Sequence, residues 1–173
     1  MDNSNTKSSP LFSDVSYSLK TEGPIIVAYQ FKSPENMGHI IRLASNFGCS
    51  KVIFIGDKAL VRERKIKKVG GAAAGQIDWF FCDEEHWKSL IPEDYSIVAI
   101  ETATDSKNIC ENRLPSKMVM LLGNEIYGLP NDLVQQCHET FHIPMVGGVK
   151  SMNVSHACSV ALYEWVRQNY TIG

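Results

Sequence analysis

The sequence predicts an α/β fold, a mainly parallel sheet with helices on both faces. Three observations carry that expectation. Ile25-Ile26-Val27 and Met118-Val119-Met120-Leu121-Leu122 are apolar runs, continuous rather than alternating, as strands covered on both faces are. Such runs alternate with stretches of helical pattern through the chain. At 173 residues and 44% hydrophobic content, the chain can bury a sizeable core.

Residues 1–9 are polar and predict a disordered start to an N-terminal arm over 1–23, followed by a single domain over 24–173. Pro24 to Phe31 is the first strand. Ser33-Pro34 has the form of an N-cap with proline at the first helical position, where its missing N–H costs nothing; the helix should reach about Phe47 and end at Gly48. Lys51 to Ile55 is the second strand, Gly56-Asp57 a turn and cap, and Lys58 to Val69 a basic helix. The run Gly70-Gly71-Ala72-Ala73-Ala74-Gly75 follows a helix and lacks both Gly-x-Gly-x-x-Gly and a Gly-Lys-Ser/Thr ending, so it is a connector rather than a phosphate loop. Ile77 to Cys82 is the third strand, Asp83 caps a short helix to Leu90, and Tyr95 to Ile100 is the fourth strand.

The stretch from Met118 to Tyr163 carries the most information. A buried strand passes straight into Gly123-Asn124-Glu125-Ile126-Tyr127-Gly128-Leu129, a glycine-flanked polar loop of the kind that hosts sites. A strand-like segment from Thr140 to Ile143 stops at Pro144-Met145. After Gly147-Gly148 and Ser151-Met152-Asn153 the period becomes helical: Val154, Ala157, Cys158, Ala161, Leu162, Trp165 and Val166 form one apolar stripe running towards Asn169. Ligands of parallel sheets sit at the carboxyl ends of strands, where Glu101-Thr102, Gly123 and Ile143 to Met145 fall.

Leu-Gly-Asn-Glu-x-x-Gly-Leu at 122–129, Ile-Pro-Met at 143–145 and Ser-Met-Asn-Val-Ser at 151–155, with Leu-Tyr-Glu at 162–164, resemble motifs 2 and 3 of the SpoU family. These are the S-adenosylmethionine-dependent RNA 2′-O-ribose methyltransferases of the SPOUT superfamily. Asn36-Met37-Gly38-His39-Ile40-Ile41-Arg42, closed by Phe47-Gly48, resembles motif 1. The blocks stand in order and span most of residues 24–168.

The resemblance implies the SPOUT fold, with a C-terminal trefoil knot in which the last segment threads an earlier loop. Pattern reading alone would reject a knot, since threaded chains are nearly absent. It implies a homodimer with active sites at the subunit interface. The final helix would serve in that contact, with Tyr163, Trp165 and Tyr170 as aromatic candidates; core packing is the other reading for Trp165. It implies S-adenosyl-L-methionine as cofactor, bound at Thr102, Leu122, Gly123, Ile143, Met145 and Met152, largely through backbone groups. Around the acceptor ribose of a tRNA or rRNA it implies Asn36, Arg42, Glu125, Ser151 and Asn153.

Methyl transfer to a hydroxyl is an in-line displacement, so donor and acceptor must be held roughly 3 to 3.5 Å apart and aligned. A guanidinium is hard to deprotonate, which favours Arg42 as a clamp on the adjacent phosphate and a stabiliser of negative charge; the general base is the other role open to it. Ser151 and Asn153 would orient Arg42 or the ribose, and Asn36 and Glu125 would shape the loops. Taken singly, each has a plainer reading. Asn36 and Asn153 could be helix-start caps, Arg42 an ion-pair partner of Glu35 or Asp57, and Glu125 a carboxylate bonded to backbone N–H groups.

A formal net charge of −2 argues against a large basic surface gripping nucleic acid. RNA would have to meet a local patch, for which Arg62, Arg64, Lys65, Lys67 and Lys68 are candidates; a solvated helix face is the alternative. No apolar run approaches the roughly 18 residues of a membrane span, and no basic start precedes an apolar segment. No membrane partner and a cytoplasmic location are therefore expected. Five cysteines, Cys49, Cys82, Cys110, Cys137 and Cys158, contain no Cys-x-x-Cys pair and suggest buried free thiols. His138-Glu139-Thr140-Phe141-His142 fits the zinc-peptidase pattern His-Glu-x-x-His, with Glu164 imaginable as a third ligand. That motif needs a helix where Phe-His-Ile-Pro predicts a strand, so no metal is expected. A noncatalytic RNA-binding module on the same scaffold is the other alternative to an enzyme.

Overall fold

The computed structural model describes residues 15–172, so the polar start at 1–9 lies outside the described residues. Seven strands form one sheet: β2 (Ile25–Tyr29), β3 (Lys51–Ile55), β4 (Asp78–Cys82), β5 (Ser96–Ile100), β6 (Lys107–Asn108), β7 (Met118–Leu122) and β8 (Glu139–His142). Their order is β4-β3-β2-β7-β5-β8-β6, and every pairing among them is parallel. Apart from the sheet, β1 (Tyr17–Leu19) pairs antiparallel with β9 (Tyr170–Ile172), so this part of the N-terminal arm is held by the C-terminus.

Successive residues of a strand face opposite sides, and both sides are buried here. Ile26, Ala28, Val52, Phe54, Val98, Met118, Met120 and Leu122 lie on one face. They pack against helices α1 (Pro34–Asn46), α2 (Glu63–Gly70) and α4 (Val154–Asn169), through Met37, Ile40, Ile41 and Ala44, through Ile66, and through Cys158, Ala161, Leu162 and Trp165. Ile25, Val27, Ile53, Ile55, Ala99, Val119 and Leu121 face the other way, against Trp87 of a 3₁₀ turn (Trp87–Leu90) and Leu133 of the short helix α3 (Asn131–Gln135). Long helices thus cover one face and single turns the other.

Two expected helices are shorter than their patterns. Lys58 to Val69 is not continuous: Asp57 caps only a 3₁₀ turn (Lys58–Leu60), its carboxylate accepting from Ala59 N at 2.8 Å, and Val61 is extended at φ −126°. Val61 packs against the core, which draws the chain out of helix before α2 begins at Glu63. The segment after Asp83 reduces to Trp87–Leu90, because burying Trp87 is served by one turn. The glycine-rich connector is a 3₁₀ segment (Gly71–Gly75).

In the C-terminal half the chain returns into space flanked by strands already laid down, β7 between β2 and β5, then β8 between β5 and β6. Its last helix is tied to the segment before β7: Trp165 Nε1 donates to Pro115 O at 2.9 Å, Leu114 N to Gln168 Oε1 at 2.9 Å and Gln168 Nε2 to Asn112 O at 3.2 Å. Trp165 is therefore core, whereas Tyr163 is 62% exposed. All five cysteines are free thiols, but only Cys49 and Cys158 are buried; Cys82 and Cys137 are half-buried and Cys110 is exposed, and burial pushes Cys49 up to about 12 and Cys137 up to about 11.

Candidate active site

At the carboxyl ends of β5, β7 and β8 the structure opens into a cleft of ≈ 210 Å³. Two loops wall it. The first, 123–129, leaves β7 and folds on itself: Asn124 N donates to Gly128 O at 3.1 Å and Gly128 N to Asn124 O at 2.9 Å. The Asn124 side chain is buried, accepting from Ile126 N at 2.9 Å and Tyr127 N at 3.2 Å while its amide donates to Gln30 O at 2.5 Å. Gly128 needs to be glycine, since its φ is 67° and a β-carbon would lie 2.7 Å from Glu101 Oε2. The second loop, 143–153, leaves β8 without regular structure and ends at Asn153, which caps α4 by accepting from Ser155 N at 2.9 Å.

A series of side-chain hydrogen bonds joins the loops behind the cleft. Glu125 accepts from Lys32 N and Ser33 N, both at 3.0 Å, and from Asn36 Nδ2 at 3.1 Å. Asn36 Oδ1 in turn accepts from Asn153 Nδ2 at 3.1 Å. Ser33, not Asn36, is the N-cap of α1, so Asn36 is free for this bridge.

Of the residues expected to bind the cofactor, Thr102, Gly123, Ile143, Met145 and Met152 line the cleft. Leu122 does not: the alternation along β7 turns it into the core, where it is 1% exposed. Glu125 and Ser151 also line the cleft, and Asn36 and Asn153 stand behind it. Arg42 is elsewhere. It lies six positions beyond Asn36 on α1, a rotation of about 240° that moves it from the buried side to the exposed one. Its supposed ion-pair partners are otherwise engaged, Glu35 by Lys65 and Asp57 by the cap at Ala59. Arg42 thus makes no ion pair or hydrogen bond among the described residues.

The five cations of 62–68 are exposed, but two are engaged. Lys65 pairs with Glu35, and Lys67 shares Glu63 with Lys58, both at 2.7 Å; these two ammonium groups hold the Glu63 carboxyl down at about 2. Arg62, Arg64 and Lys68 remain without partners among the described residues. The zinc alternative fails on geometry. Residues 139–142 are strand, His138 Nδ1 accepts from Ile97 N at 2.9 Å, His142 Nδ1 lies 2.9 Å from Ser106 Oγ, and Glu139 binds Lys107 at 2.7 Å. Among the described residues no three His, Cys, Asp or Glu side chains are grouped to hold a metal, and no helix is long and apolar enough to cross a membrane. Two charged lining residues lie outside the motifs, Glu101 and Lys150. The signal for Glu101 was a carboxylate directly after an apolar strand; Lys150 had none.

A cleft at the carboxyl edge of a parallel sheet, walled by backbone-rich loops and apolar side chains, is the ligand site of an α/β protein. The profile of the SpoU rRNA Methylase family matches residues 23–163, and the chain belongs to that family. Its fold is the family's, an α/β sheet with a C-terminal trefoil knot. The chain is 28% identical over 151 residues to the tRNA (guanosine(18)-2'-O)-methyltransferase TARBP1 of Mus musculus, covering 83% of this chain and 9% of that protein. An AdoMet-bound rRNA methyltransferase from Sinorhizobium meliloti superposes with a TM-score of 0.72 at 25% identity, covering 87% of this chain and 58% of that one. A structure concerned with 2-OH methylation of C/U34 on tRNA superposes with a TM-score of 0.75 at 26% identity, covering 85% and 96%. The chain therefore spans only part of the first two.

Proposed function

We propose that this chain is an S-adenosylmethionine-dependent RNA methyltransferase acting on a ribose 2′-hydroxyl of tRNA or rRNA, as a cytoplasmic homodimer. The observation that carries the reading is the series Glu125, Asn36, Asn153. Its bonds span 89 and 117 residues of sequence and join the three motif segments at one cleft.

The cleft suits an adenosyl group. Ile143, Met145 and Met152 offer apolar contact, Thr102 and Ser151 hydroxyls, and the bare Gly123 a close backbone approach. When bound, S-adenosylmethionine supplies an activated methyl group. The Ser151 hydroxyl has no partner among the described residues and is free to bond the acceptor ribose. Asn36 and Asn153, committed to Glu125 and the α4 cap, position the loops. Arg42 is exposed, unpaired and off its own cleft, which supports its acting from a second copy, clamping a phosphate and stabilising negative charge on the hydroxyl oxygen. Apolar side chains left in the open around the cleft, Ile126, Tyr127, Val146 and Val149, support a self-associating face. Arg62, Arg64 and Lys68 would meet RNA phosphates. Coverage of nearly all of a chain concerned with tRNA methylation supports tRNA as the first substrate to assay.

The test compares 2′-O-methyl maps of total RNA with and without the gene and titrates the protein with S-adenosylmethionine calorimetrically. Binding and the loss of specific methyl marks are expected. Arg42→Ala should abolish methylation while leaving cofactor binding and the melting temperature unchanged; full activity would remove Arg42 from the mechanism. RNA binding without cofactor binding, and an unchanged map, would favour the noncatalytic module.

A further inference from the structure

Three ionisable side chains line the cleft, Glu101, Glu125 and Lys150, and they are not equivalent. Glu125 faces the start of α1, where two backbone N–H groups, the Asn36 amide and the helix dipole offset its charge. Lys150 is exposed and its ammonium donates to Met145 O at 2.6 Å. Glu101 stands at the end of β5 between the loops. One of its oxygens accepts from Thr102 N at 2.9 Å and the other from Leu129 N at 3.1 Å. A carboxylate oxygen accepts about two hydrogen bonds, so each keeps a lone pair. No cationic side chain among the described residues pairs with it. Glu101 lines the cleft, so a cationic atom held beside it is attracted by its charge.

We propose that Glu101 is the counter-charge by which this cleft selects the sulfonium S-adenosylmethionine over its uncharged thioether product, S-adenosylhomocysteine. The proposal rests on the cleft being the cofactor site. The two ligands differ by one methyl group and one positive charge. A carboxylate that merely tied two loops together would strengthen both alike, whereas a counter-charge acts on their difference.

Calorimetric titration of the full chain with each ligand, in the unaltered protein and in Glu101→Gln, separates these roles. The ratio of the S-adenosylhomocysteine to the S-adenosylmethionine dissociation constant is expected to fall about ten-fold in the variant, the effect of one nearby charge in a partly screened site. A ratio that stays the same, with both affinities lowered equally, overturns the proposal and leaves Glu101 a tether. Should the variant fail to fold, the unaltered protein decides through sinefungin, which carries an ammonium where the sulfonium stands. Binding several-fold tighter than that of S-adenosylhomocysteine supports the counter-charge, and equal binding overturns it. If none of the three ligands binds the unaltered protein, the cofactor reading itself falls, and this proposal with it.

Discussion

Gly123 and Gly147 both belong to loops that follow parallel strands and wall one cleft, yet their surroundings are opposite. A β-carbon on Gly123 would lie 2.5 Å from the carbonyl carbon of Gly128, while one on Gly147 or Gly148 would meet nothing within 4 Å. The first loop is closed by backbone pairing between Asn124 and Gly128 and by the buried Asn124 side chain. The second leaves Val146 fully exposed and Val149 at 74%, with Lys150 to Met145 its internal tie. One wall is finished by the chain's own fold. The other has its ends anchored, at β8 and at the Asn153 cap, and its middle exposed.

Gly123→Val tests the closed wall most severely. Its side chain would drive into the backbone of Gly128 and Leu129, and a loss of about 3 kcal/mol is expected in urea melts, together with loss of S-adenosylmethionine binding. An unchanged melt would mean the first wall is as slack as the second. Asn36→Ala removes the bridge between the walls, leaving Glu125 a donor short and the Asn153 amide unpaired. About 1–3 kcal/mol should go with it, read by thermal melting, and weaker cofactor binding should accompany the loss. Val149→Asp places a charge on the open wall. Stability should move by no more than about 0.5 kcal/mol, while sedimentation should shift from dimer towards monomer; an unshifted dimer would put the self-associating face elsewhere. Gly147→Ala is the mildest. With open space and no positive φ, it should stabilise by about 0.5 kcal/mol through the unfolded chain, and destabilisation would show a conformational demand there.

The same contrast runs through what could be seen in advance. β2, β3, β7, α1 and α4 announce themselves locally, by continuous apolar runs, by Ser33-Pro34 and by the stripe from Val154 to Val166. The helix expected from Lys58 to Val69 failed at Val61, whose burial is a tertiary event. The β1–β9 ribbon joins Ser18 to Thr171 across 153 residues, a pairing without local signature. In the cleft, Thr102, Gly123, Ile143 and Met145 were foreseeable because strand ends are, and Ser151 because its motif is. The Leu122 side chain is turned into the core by the alternation along β7, and Arg42 is carried off its own cleft by the rotation of α1 between it and Asn36. The plainer readings held for two residues: Asn153 does cap a helix, and Glu125 does gather backbone N–H groups, as part of the bridge itself.

By itself the sequence determined the class of fold, most strands and long helices, and the three motif blocks, because periodicity, capping and strand ends depend on near neighbours. Only the tertiary structure decided that Glu125, Asn36 and Asn153 form one hydrogen-bonded series, that Glu101 faces the same cleft, and that Arg42 turns away from it. Those outcomes depend on how distant segments thread and pack. Hydrogen bonds a few ångströms long between residues 89 and 117 positions apart exist only once the whole sheet has brought them together.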